Sequence, residues 1–203
     1  MRAHRVFAAV YDRMSEPMER EVLGERRRRL LADVTGQVLD IGAGTGANLP
    51  HLRSAERIVA AEPDAAMRTR LNSRLDRAHA PVEVSTAGAE DLPFQDMTFD
   101  AVVFTLVLCT VADPAKALAE ARRVLRPGGR IVVLEHVRGS GNRARWQDRL
   151  APVWSYFAAG CMPNRDTRAT IEGAGFTFDD VSESEPFPRW VLTRTMLEGT
   201  ARP

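Results

Sequence analysis

Residues that could hold a nucleotide-like cofactor stand close together in the stretch VLDIGAGTGANL, residues 38–49. Gly42, Gly44 and Gly46 follow an apolar run, and glycines at such a place let the backbone approach a ligand and turn sharply. The letters GAGTGA fit G-x-G-x-x-A, an accepted form of the dinucleotide-binding fingerprint, and they fit G-x-G-x-G equally well. The loop therefore predicts cofactor binding and leaves the class of cofactor open.

Two acidic residues flank this loop in the sequence. Glu62 follows a second apolar run, where a carboxylate can accept both hydroxyls of a ribose. Its other interpretation is a surface acid at the end of a strand. Asp40 immediately precedes the loop and fits a cofactor with a cationic centre, because a buried acid needs a hydrogen-bonding or cationic partner.

A third segment, AGAEDLPFQDMTFDAVVF at residues 87–104, helps to separate the cofactor classes. Glu90 or Asp91 could accept a hydrogen bond from the exocyclic amine of an adenine, with Ala89 and Leu92 as apolar neighbours. Further along, RVLRPGGRIVVLEHV ends a helix with RPGG before an apolar strand, a feature that is not part of the NAD fingerprint.

Composition and charge exclude several classes of protein. The 203 residues include 28 basic and 27 acidic side chains, a net charge of +1, so electrostatic binding of nucleic acid is not expected. Cys109 and Cys161 belong to no CxxC or CxxH pair, so we predict neither a metal site nor a disulfide framework. The N-terminal apolar run is too short for a signal sequence or a membrane span, and we expect a cytoplasmic protein.

Hydrophobic periodicity predicts an α/β protein with a parallel sheet and helices on both faces. Residues 6–34 have helical spacing and include RRRRLL, which is either a solvated helix face or a basic contact with a membrane or an anionic substrate. Helices are predicted after the glycine loop, at 64–78 and at 114–125. Strands are predicted at 37–41, 57–62, 81–87, 98–105 and 130–137. An insertion of helices then precedes a closing hairpin with arms at 176–184 and 190–197.

The ordered motifs VLDIGAGTG, AEP, AEDLPF, FDAVVF and RRVLRPGG, within residues 38–137, resemble the class I S-adenosylmethionine-dependent methyltransferases of the methyltransferase domain 11 type. The resemblance implies a Rossmann-like seven-stranded sheet with strand seven antiparallel. It implies S-adenosylmethionine as the cofactor and S-adenosylhomocysteine as its product. The implied cofactor-binding residues are Tyr11, Asp40, Gly42, Ala43, Gly44, Thr45, Gly46, Asn48, Glu62, Pro63, Met67, Ala89, Glu90, Asp91, Thr105 and Leu106.

A narrower resemblance covers more of the chain. TLVLCTV, LEHV, WQDRLAPVW, AAGCMPNRDTRATIEGAGF and the early YDRM are similar to the methyltransferase-like proteins that methylate alkyl thiols. Those relatives have a hydrophobic N-terminal anchor, which we do not carry over, so no stable membrane anchor is expected. MPNR at residues 162–165 departs from the pattern of that group, in the part of the chain that would shape the acceptor pocket.

Candidate catalytic residues lie on the acceptor side. His136, at the end of the fifth strand, could assist deprotonation of an acceptor thiol, which reacts as the thiolate, or could only orient the following loop. Arg165 could attract an anionic acceptor or pair with a neighbouring acid. Asp166 could act in catalysis or cap the helix that begins at Thr167. Cys109 is predicted to be a small buried residue, whereas Cys161 lies next to the proposed pocket.

These observations predict a single methyltransferase domain with four segments: an N-terminal helical cover at 1–35, a cofactor-binding core at 36–137, an acceptor-side helical insertion at 138–175 and a closing hairpin at 176–203. The expected acceptor is a small molecule, with a thiol or dithiol favoured. Alternatives are N- or O-methylation of a lipid, quinone or other metabolite, a cofactor-binding protein without catalysis, and a dehydrogenase. A monomer or homodimer is expected.

Overall fold

A seven-stranded sheet forms the centre of the protein in the computed structural model, which describes residues 16–158 and 160–203. The spatial order of the strands is β3-β2-β1-β4-β5-β7-β6. Strands β1 to β5 pair in parallel, and β7 is antiparallel to both of its neighbours, which confirms the predicted fold class. The strands are β1 Gly36–Ile41, β2 Ala55–Ala61, β3 Val82–Ser85, β4 Phe99–Thr105, β5 Leu125–His136, β6 Thr177–Ser184 and β7 Met196–Arg202.

Helices cover the sheet and, after β5, form the insertion. A π-helical turn at Glu19–Leu23 continues directly into the first α-helix. Side-chain caps begin three of the helices, because aspartate oxygens accept the otherwise unpaired N–H groups of a first turn. The α-helices are α1 Gly24–Leu31, α2 Ala65–Asn72, α3 Pro114–Val124, α4 Gly141–Phe157 and α5 Thr167–Gly173.

The glycine loop does not open into an α-helix, so that prediction was wrong. Only a 3₁₀ turn, Leu49–His51, stands between the loop and β2. The loop itself uses most of the short connection between β1 and β2. The helix predicted at 64–78 is also shorter, because α2 ends at Asn72 and a separate 3₁₀ turn follows at Leu75–Arg77.

The closing hairpin forms, but its second arm was predicted in the wrong place. Strand β7 begins at Met196, and the predicted starting residue Trp190 is 85% exposed in the preceding turns. The register is fixed by antiparallel pairing with β5, in which His136 faces Met196 and Ile131 faces Ala201. The position of the second arm is therefore set by its pairing with β5 and not by the apolar residues nearest to the turn.

Central strands are buried on both faces, as strands covered by helices should be. Four consecutive residues of β1, from Val38 to Ile41, and all of β4 from Ala101 to Thr105 are buried. Asp40 is the one charged residue within these two runs and is 0% exposed. An acid at this depth needs a hydrogen-bonding or cationic partner.

The run of four arginines has two members turned towards the protein and two exposed to water. Arg26 pairs with Glu198 of β7 at 2.7 Å, Arg29 pairs with the same carboxylate, and Arg27 is only 4% exposed. Arg28 and Arg29, with side chains 59% and 58% exposed, fit the predicted solvated face. Within the described parts of the chain, no helix combines the length and apolar character needed to cross a bilayer.

Candidate active site

The glycine loop brings the end of β1 against the end of β4. Gly42, Gly44 and Gly46 have φ angles of +62°, +58° and +86°, in the left-handed region that favours glycine. A Cβ on Gly42 would lie 2.5 Å from Cγ2 of Val107, so no side chain fits there. A Cβ on Gly44 would meet only the Gly42 carbonyl oxygen at 3.8 Å, which leaves that part of the loop open to a ligand.

Asp40 carries an oxygen without a partner. Its Oδ1 accepts a hydrogen bond from Nδ2 of Asn48 at 2.7 Å, whereas its Oδ2 is buried and has no hydrogen-bond partner among the described residues. Burial raises the pKa of Asp40 to about 7, although the Asn48 hydrogen bond and the charge of Arg27 oppose the rise. A buried carboxylate oxygen of this kind suits a cationic ligand.

A buried chain of polar groups connects the N-terminal helix to this carboxylate. Arg27 donates from Nη1 to Oδ1 of Asn48 at 2.6 Å and from Nε to Oε1 of Glu19 at 2.8 Å. The amide of Asn48 then donates to Asp40 and, at 2.9 Å, to the Thr105 hydroxyl. Sequence analysis predicted Asn48 and Thr105 but missed Arg27, because nothing in RRRR distinguishes its buried member.

Glu62 lies at the end of β2 and ties the glycine loop to the start of α2. Its Oε2 accepts the N–H of Gly44 at 2.9 Å, and its Oε1 accepts the N–H of Asp64 at 2.8 Å. The residue is 7% exposed, and burial raises its pKa against the effect of these two N–H donors. Pro63 is exposed and Met67 is half-buried in the first turns that follow.

The acids predicted for the adenine side differ in their surroundings. Glu90 is partly buried, and its Oε1 accepts the N–H groups of Ala112 at 3.0 Å and Asp113 at 3.3 Å, just before α3. Asp91 is exposed, and Ala89 is buried beside it. Glu90 therefore joins this loop to the start of a helix, and the adenine contact of either acid stays a prediction.

Strand β4 ends in a strained residue at the ligand edge of the sheet. Leu106 has a φ of +61°, which costs a non-glycine residue about 1–2 kcal/mol. Its N–H donates to the Leu134 carbonyl at 2.8 Å, which holds this conformation in place. Such strain clusters at functional sites, and the position of Thr105 and Leu106 beside the reacting centre stays a prediction.

Glu135 is a buried carboxylate that sequence analysis missed. It is 0% exposed on β5, and its Oε1 accepts the N–H groups of Val107 at 2.8 Å and Leu108 at 2.9 Å. Its Oε2 accepts the N–H of Cys109 at 3.2 Å. Burial raises the pKa of Glu135, and the three N–H donors oppose that rise. The glutamate inside the apolar run VVLEHV was a sequence signal for this residue, but sequence analysis considered only His136 in that run.

The insertion docks on the loop after β4 through backbone contacts. Arg165 donates from Nη1 to the Leu108 carbonyl at 2.6 Å, and the Met162 N–H donates to the Cys109 carbonyl at 2.7 Å. Asp166 is exposed and caps α5 by accepting the Ala169 N–H at 3.0 Å, so the predicted cap is confirmed. The catalytic roles of Arg165 and Asp166 stay predictions.

Three side chains from separate parts of the sequence meet at this junction. The ligand atoms of Cys109, His136 and Cys161 all lie within 4.8 Å of one another, and His136 Nδ1 is 3.8 Å from Cys161 Sγ. The hydrogen bond from the Cys109 thiol, followed by the effect of His136, lowers the pKa of Cys161, whereas the same pairing and burial raise the pKa of Cys109. Cys109 is 1% exposed, as predicted, and Cys161 is 7% exposed.

An apolar groove of about 460 Å³ lies beside the insertion, between α4 and the turns before β7. Trp154 lines it, and the indole Nε1 of this residue is buried without a hydrogen-bond partner in the described parts of the chain. Tyr156 and Phe157 are 84% and 74% exposed, so these two aromatics do not pack in the core. The residues that line the groove are Leu150, Val153, Trp154, Phe157, Trp190, Val191 and Leu192.

Known proteins share both the sequence and this arrangement. The model of a methyltransferase domain matches residues 39–133. Human thiol S-methyltransferase TMT1B is 32% identical over 198 residues, which cover 91% of this chain and 81% of that protein. The chain belongs to the S-adenosylmethionine-dependent methyltransferases. This methyltransferase is also 44% identical over 109 residues to demethylmenaquinone methyltransferase of Clavibacter sepedonicus, an alignment that covers 53% of this chain and 44% of that one.

The fold of this methyltransferase has a solved counterpart. A SAM-dependent methyltransferase from Thermotoga maritima is 25% identical, with a TM-score of 0.68, and the match covers 97% of this chain and 94% of that one. The cofactor is S-adenosylmethionine, and the strand ends of this methyltransferase fit it. Asp40 Oδ2 is a buried oxygen without a partner among the described residues, Gly44 leaves its part of the loop open, and Glu62 ends β2 beside that loop.

We expect Gly42→Ala to destabilise this methyltransferase more than Gly128→Ala does. Both glycines have a positive φ, so both substitutions carry a strain of about 1–2 kcal/mol. Only the Gly42 substitution also forces a methyl group against Val107, and such overpacking costs about 1–3 kcal/mol more. Urea unfolding of both variants measures the difference, and equal losses of stability would contradict the close approach of the two loops.

Proposed function

We propose that this methyltransferase methylates a small thiol or dithiol on sulfur. The observation that carries the proposal is the extent of the likeness to human TMT1B, which spans 91% of this chain and therefore includes most of the acceptor side. The likeness to the demethylmenaquinone methyltransferase spans 53% of the chain. The acceptor-side residues His136, Cys161 and Arg165 belong to the region where the resemblance to thiol methyltransferases was found in the sequence.

The donor side of the proposed site is made by the ends of β1, β2 and β4. S-adenosylmethionine supplies an electrophilic methyl group bound to a sulfonium. Asp40 would face the cationic part of the cofactor, Glu62 the ribose hydroxyls, and Glu90 or Asp91 the adenine. Tyr11, which was predicted to cover the methyl end, lies outside the described residues.

The remaining members of the proposed set shape the walls of this site. Asn48 holds the Asp40 side chain by a hydrogen bond, and the Thr105 hydroxyl accepts a second hydrogen bond from the same Asn48 amide. The other residues would contact the cofactor through backbone or apolar atoms: Gly42, Ala43, Gly44, Thr45, Gly46, Pro63, Met67, Ala89 and Leu106.

The acceptor side must bring a sulfur atom into line with the methyl group. Well-oriented reactions gain on the order of 7–11 kcal/mol from such positioning. In the proposed transfer, the acceptor thiol loses its proton, its sulfur bonds to the methyl carbon, and the bond from that carbon to the sulfonium breaks. Free thiols have a pKa of about 8.5 and are therefore mostly protonated at neutral pH. A group near His136 that favours the thiolate of the acceptor would raise the rate of methyl transfer.

A panel of acceptors tests the proposal. Small aliphatic and aromatic thiols, a dithiol, phenols, amines and a demethylated quinol are each incubated with the enzyme and S-adenosylmethionine. Mass spectrometry is expected to show a methyl sulfide from at least one thiol, with matched formation of S-adenosylhomocysteine. Methyl transfer to phenols or amines, with none to any thiol, would overturn the thiol proposal.

Quinone methylation is the second candidate, because the Clavibacter sepedonicus relative is a demethylmenaquinone methyltransferase. The large apolar groove beside α4 is compatible with a bulky apolar acceptor. The quinol arm of the same panel decides between the two candidates. A methylated quinol without any methyl sulfide would support quinone methylation. N- or O-methylated products would support the broader alternatives.

A further inference from the structure

Three metal-binding side chains converge at the ligand edge of the sheet. Cys109 lies in the loop after β4, His136 is the last residue of β5, and Cys161 follows α4. Their ligand atoms lie within 4.8 Å of one another, and the Cys161 Sγ to His136 Nδ1 distance is 3.8 Å. The cofactor-binding residues assigned above do not include any of the three.

These distances are close to those of a zinc site. With Zn–S bonds of about 2.3 Å and Zn–N bonds of about 2.0–2.1 Å, the ligand atoms of a tetrahedral ion lie about 3.5–3.8 Å apart. The three atoms would therefore close on an ion by movements of about 1 Å or less. Thiolate and imidazole ligands together select zinc and other thiophilic ions over magnesium or calcium.

The backbone around the cluster is already fixed by hydrogen bonds. Glu135 accepts the N–H of Cys109, and the Cys109 carbonyl accepts the N–H of Met162 at 2.7 Å. The N–H of Cys161 donates to the Ala158 carbonyl at 3.0 Å at the end of α4. The two cysteine loops are thus joined to each other, and ordering them for an ion has little further entropic cost.

We propose that Cys109, His136 and Cys161 bind a thiophilic divalent ion of the zinc class, and that its fourth position receives the acceptor thiolate. The second half of this proposal rests on the proposed function. Three protein ligands with one exchangeable position are typical of catalytic zinc, whereas structural zinc has four protein ligands. Trp154 connects the two halves, because it lines the apolar groove and belongs to α4, which ends shortly before Cys161.

The proton balance of this arrangement is simple. Cys109 and Cys161 each release a proton to solvent when the ion binds, and an acceptor thiol releases a third when it coordinates. A coordinated thiol is held as the thiolate, which is the nucleophile that methyl transfer requires. The methylated product is a neutral thioether and a weaker ligand, so water can replace it.

Cobalt titration tests metal binding without any measurement of activity. The whole chain is treated with chelator, kept reduced with a phosphine and titrated with Co²⁺. One equivalent is expected to produce thiolate-to-cobalt charge-transfer absorption and the visible bands of tetrahedral cobalt, and zinc is expected to abolish both. Absence of the charge-transfer band, in protein whose two thiols are shown by alkylation and mass spectrometry to be free, would overturn the proposal.

Single substitutions assign the ligands. Cys161→Ala and His136→Ala are each expected to weaken cobalt binding on the order of 100-fold or more, since even residues that only orient ligands change affinity by about 10–100-fold. His79→Ala is the matched control, because this histidine is exposed and distant in sequence from the cluster. Circular dichroism confirms folding of each variant. Loss of the cobalt spectrum in the control, or its retention in both ligand variants, would contradict the assignment.

Binding of the acceptor thiolate to the ion is tested by a separate measurement. Adding a small thiol to the cobalt-loaded protein is expected to intensify and shift the charge-transfer band, whereas a phenol or an amine of similar size leaves it unchanged. A protein that methylates thiols but binds no cobalt would overturn this inference and leave the proposed function standing. A protein that binds cobalt, shows the thiol shift and methylates only quinols would overturn the proposed function and retain the metal site.

Discussion

Replacing Asp40 by asparagine is expected to stabilise the ligand-free protein above pH 7. The pKa of Asp40 is about 7 in the folded protein and 3.8 in an ordinary aspartate, so the folded state holds this proton more tightly than the unfolded chain. Stability conferred by the protonated carboxyl is therefore present below about pH 4 and is lost as the pH rises to about 7. The difference between these two pKa values corresponds to a loss of at most about 4 kcal/mol of stability. The asparagine variant does not undergo this loss, because asparagine does not ionise.

Urea unfolding from pH 4 to pH 8 measures this effect. The wild-type free energy of unfolding is expected to fall relative to that of Asp40→Asn across this range, with Arg27 reducing the fall and Glu62 increasing it through their charges. Asp76→Asn serves as the control, because this aspartate is exposed and its replacement should not change the pH profile. Parallel profiles for wild type and Asp40→Asn would show that Asp40 does not cause the fall in stability between pH 4 and pH 8.

The same substitution is expected to weaken binding of S-adenosylmethionine by about 10–100-fold, the loss typical of a hydrogen bond to a charged group. The ionised carboxylate would be the form that meets the cationic cofactor, so wild-type affinity should increase as the pH rises towards 7. Calorimetric titration at pH 6 and pH 8 measures both effects. Unchanged affinity in the variant at both pH values would remove Asp40 from the cofactor site. The two expected results together would show that the protein gives up stability at a residue of its proposed cofactor site.

Replacing Glu135 by alanine is expected to cause the largest loss of stability of any substitution considered for this protein. Three buried N–H groups, of Val107, Leu108 and Cys109, would lose their acceptor. An unsatisfied buried donor costs about 1–3 kcal/mol, so the loss should exceed about 3 kcal/mol in urea unfolding. Glu135→Gln keeps an amide oxygen in place and should lose about 1–3 kcal/mol.

Glu83→Gln is the matched control for Glu135, because it also alters a glutamate on a strand. Glu83 is exposed and pairs with Arg57 at the surface, and such pairs contribute about 0–1 kcal/mol. Hydrogen exchange of the Val107, Leu108 and Cys109 amides should accelerate in both Glu135 variants and remain unchanged in the control. Equal stability of Glu135→Ala and the control would contradict the role of Glu135 as the acceptor that orders this loop.

Local patterns were sufficient to predict the five parallel strands and the residues that stand at the ends of β1 and β2. Apolar runs followed by glycine or acid identified β1, the loop at Gly42 and the carboxylate of Glu62, because each of these features depends on neighbours in the sequence. The buried position of Asp40 was also anticipated, together with its need for a polar partner. The second arm of the hairpin was misplaced because its register depends on pairing with β5, which no local pattern encodes.

The acceptor half depends on contacts between distant segments, and sequence analysis resolved less of it. Cys109, His136 and Cys161 show no metal-binding spacing, so their convergence becomes visible only when the loop after β4 meets the end of α4. Glu135 was overlooked for a similar reason, since its three donors come from the loop after β4. Each of these residues shows no special pattern in its own segment, and its contacts exist only because the topology brings distant segments together.

Arg27 connects the N-terminal helix to the proposed cofactor site. The matched methyltransferase domain begins at residue 39, yet the hydrogen bond from Arg27 to Asn48 orients the amide that in turn holds Asp40. A shortened enzyme cut just before β1 would keep every glycine of the loop and lose the cation that supports its acid. We therefore expect the smallest unit able to bind the donor to begin upstream of the matched domain, and we expect a graft of only the loop and strands to lack the support of Arg27.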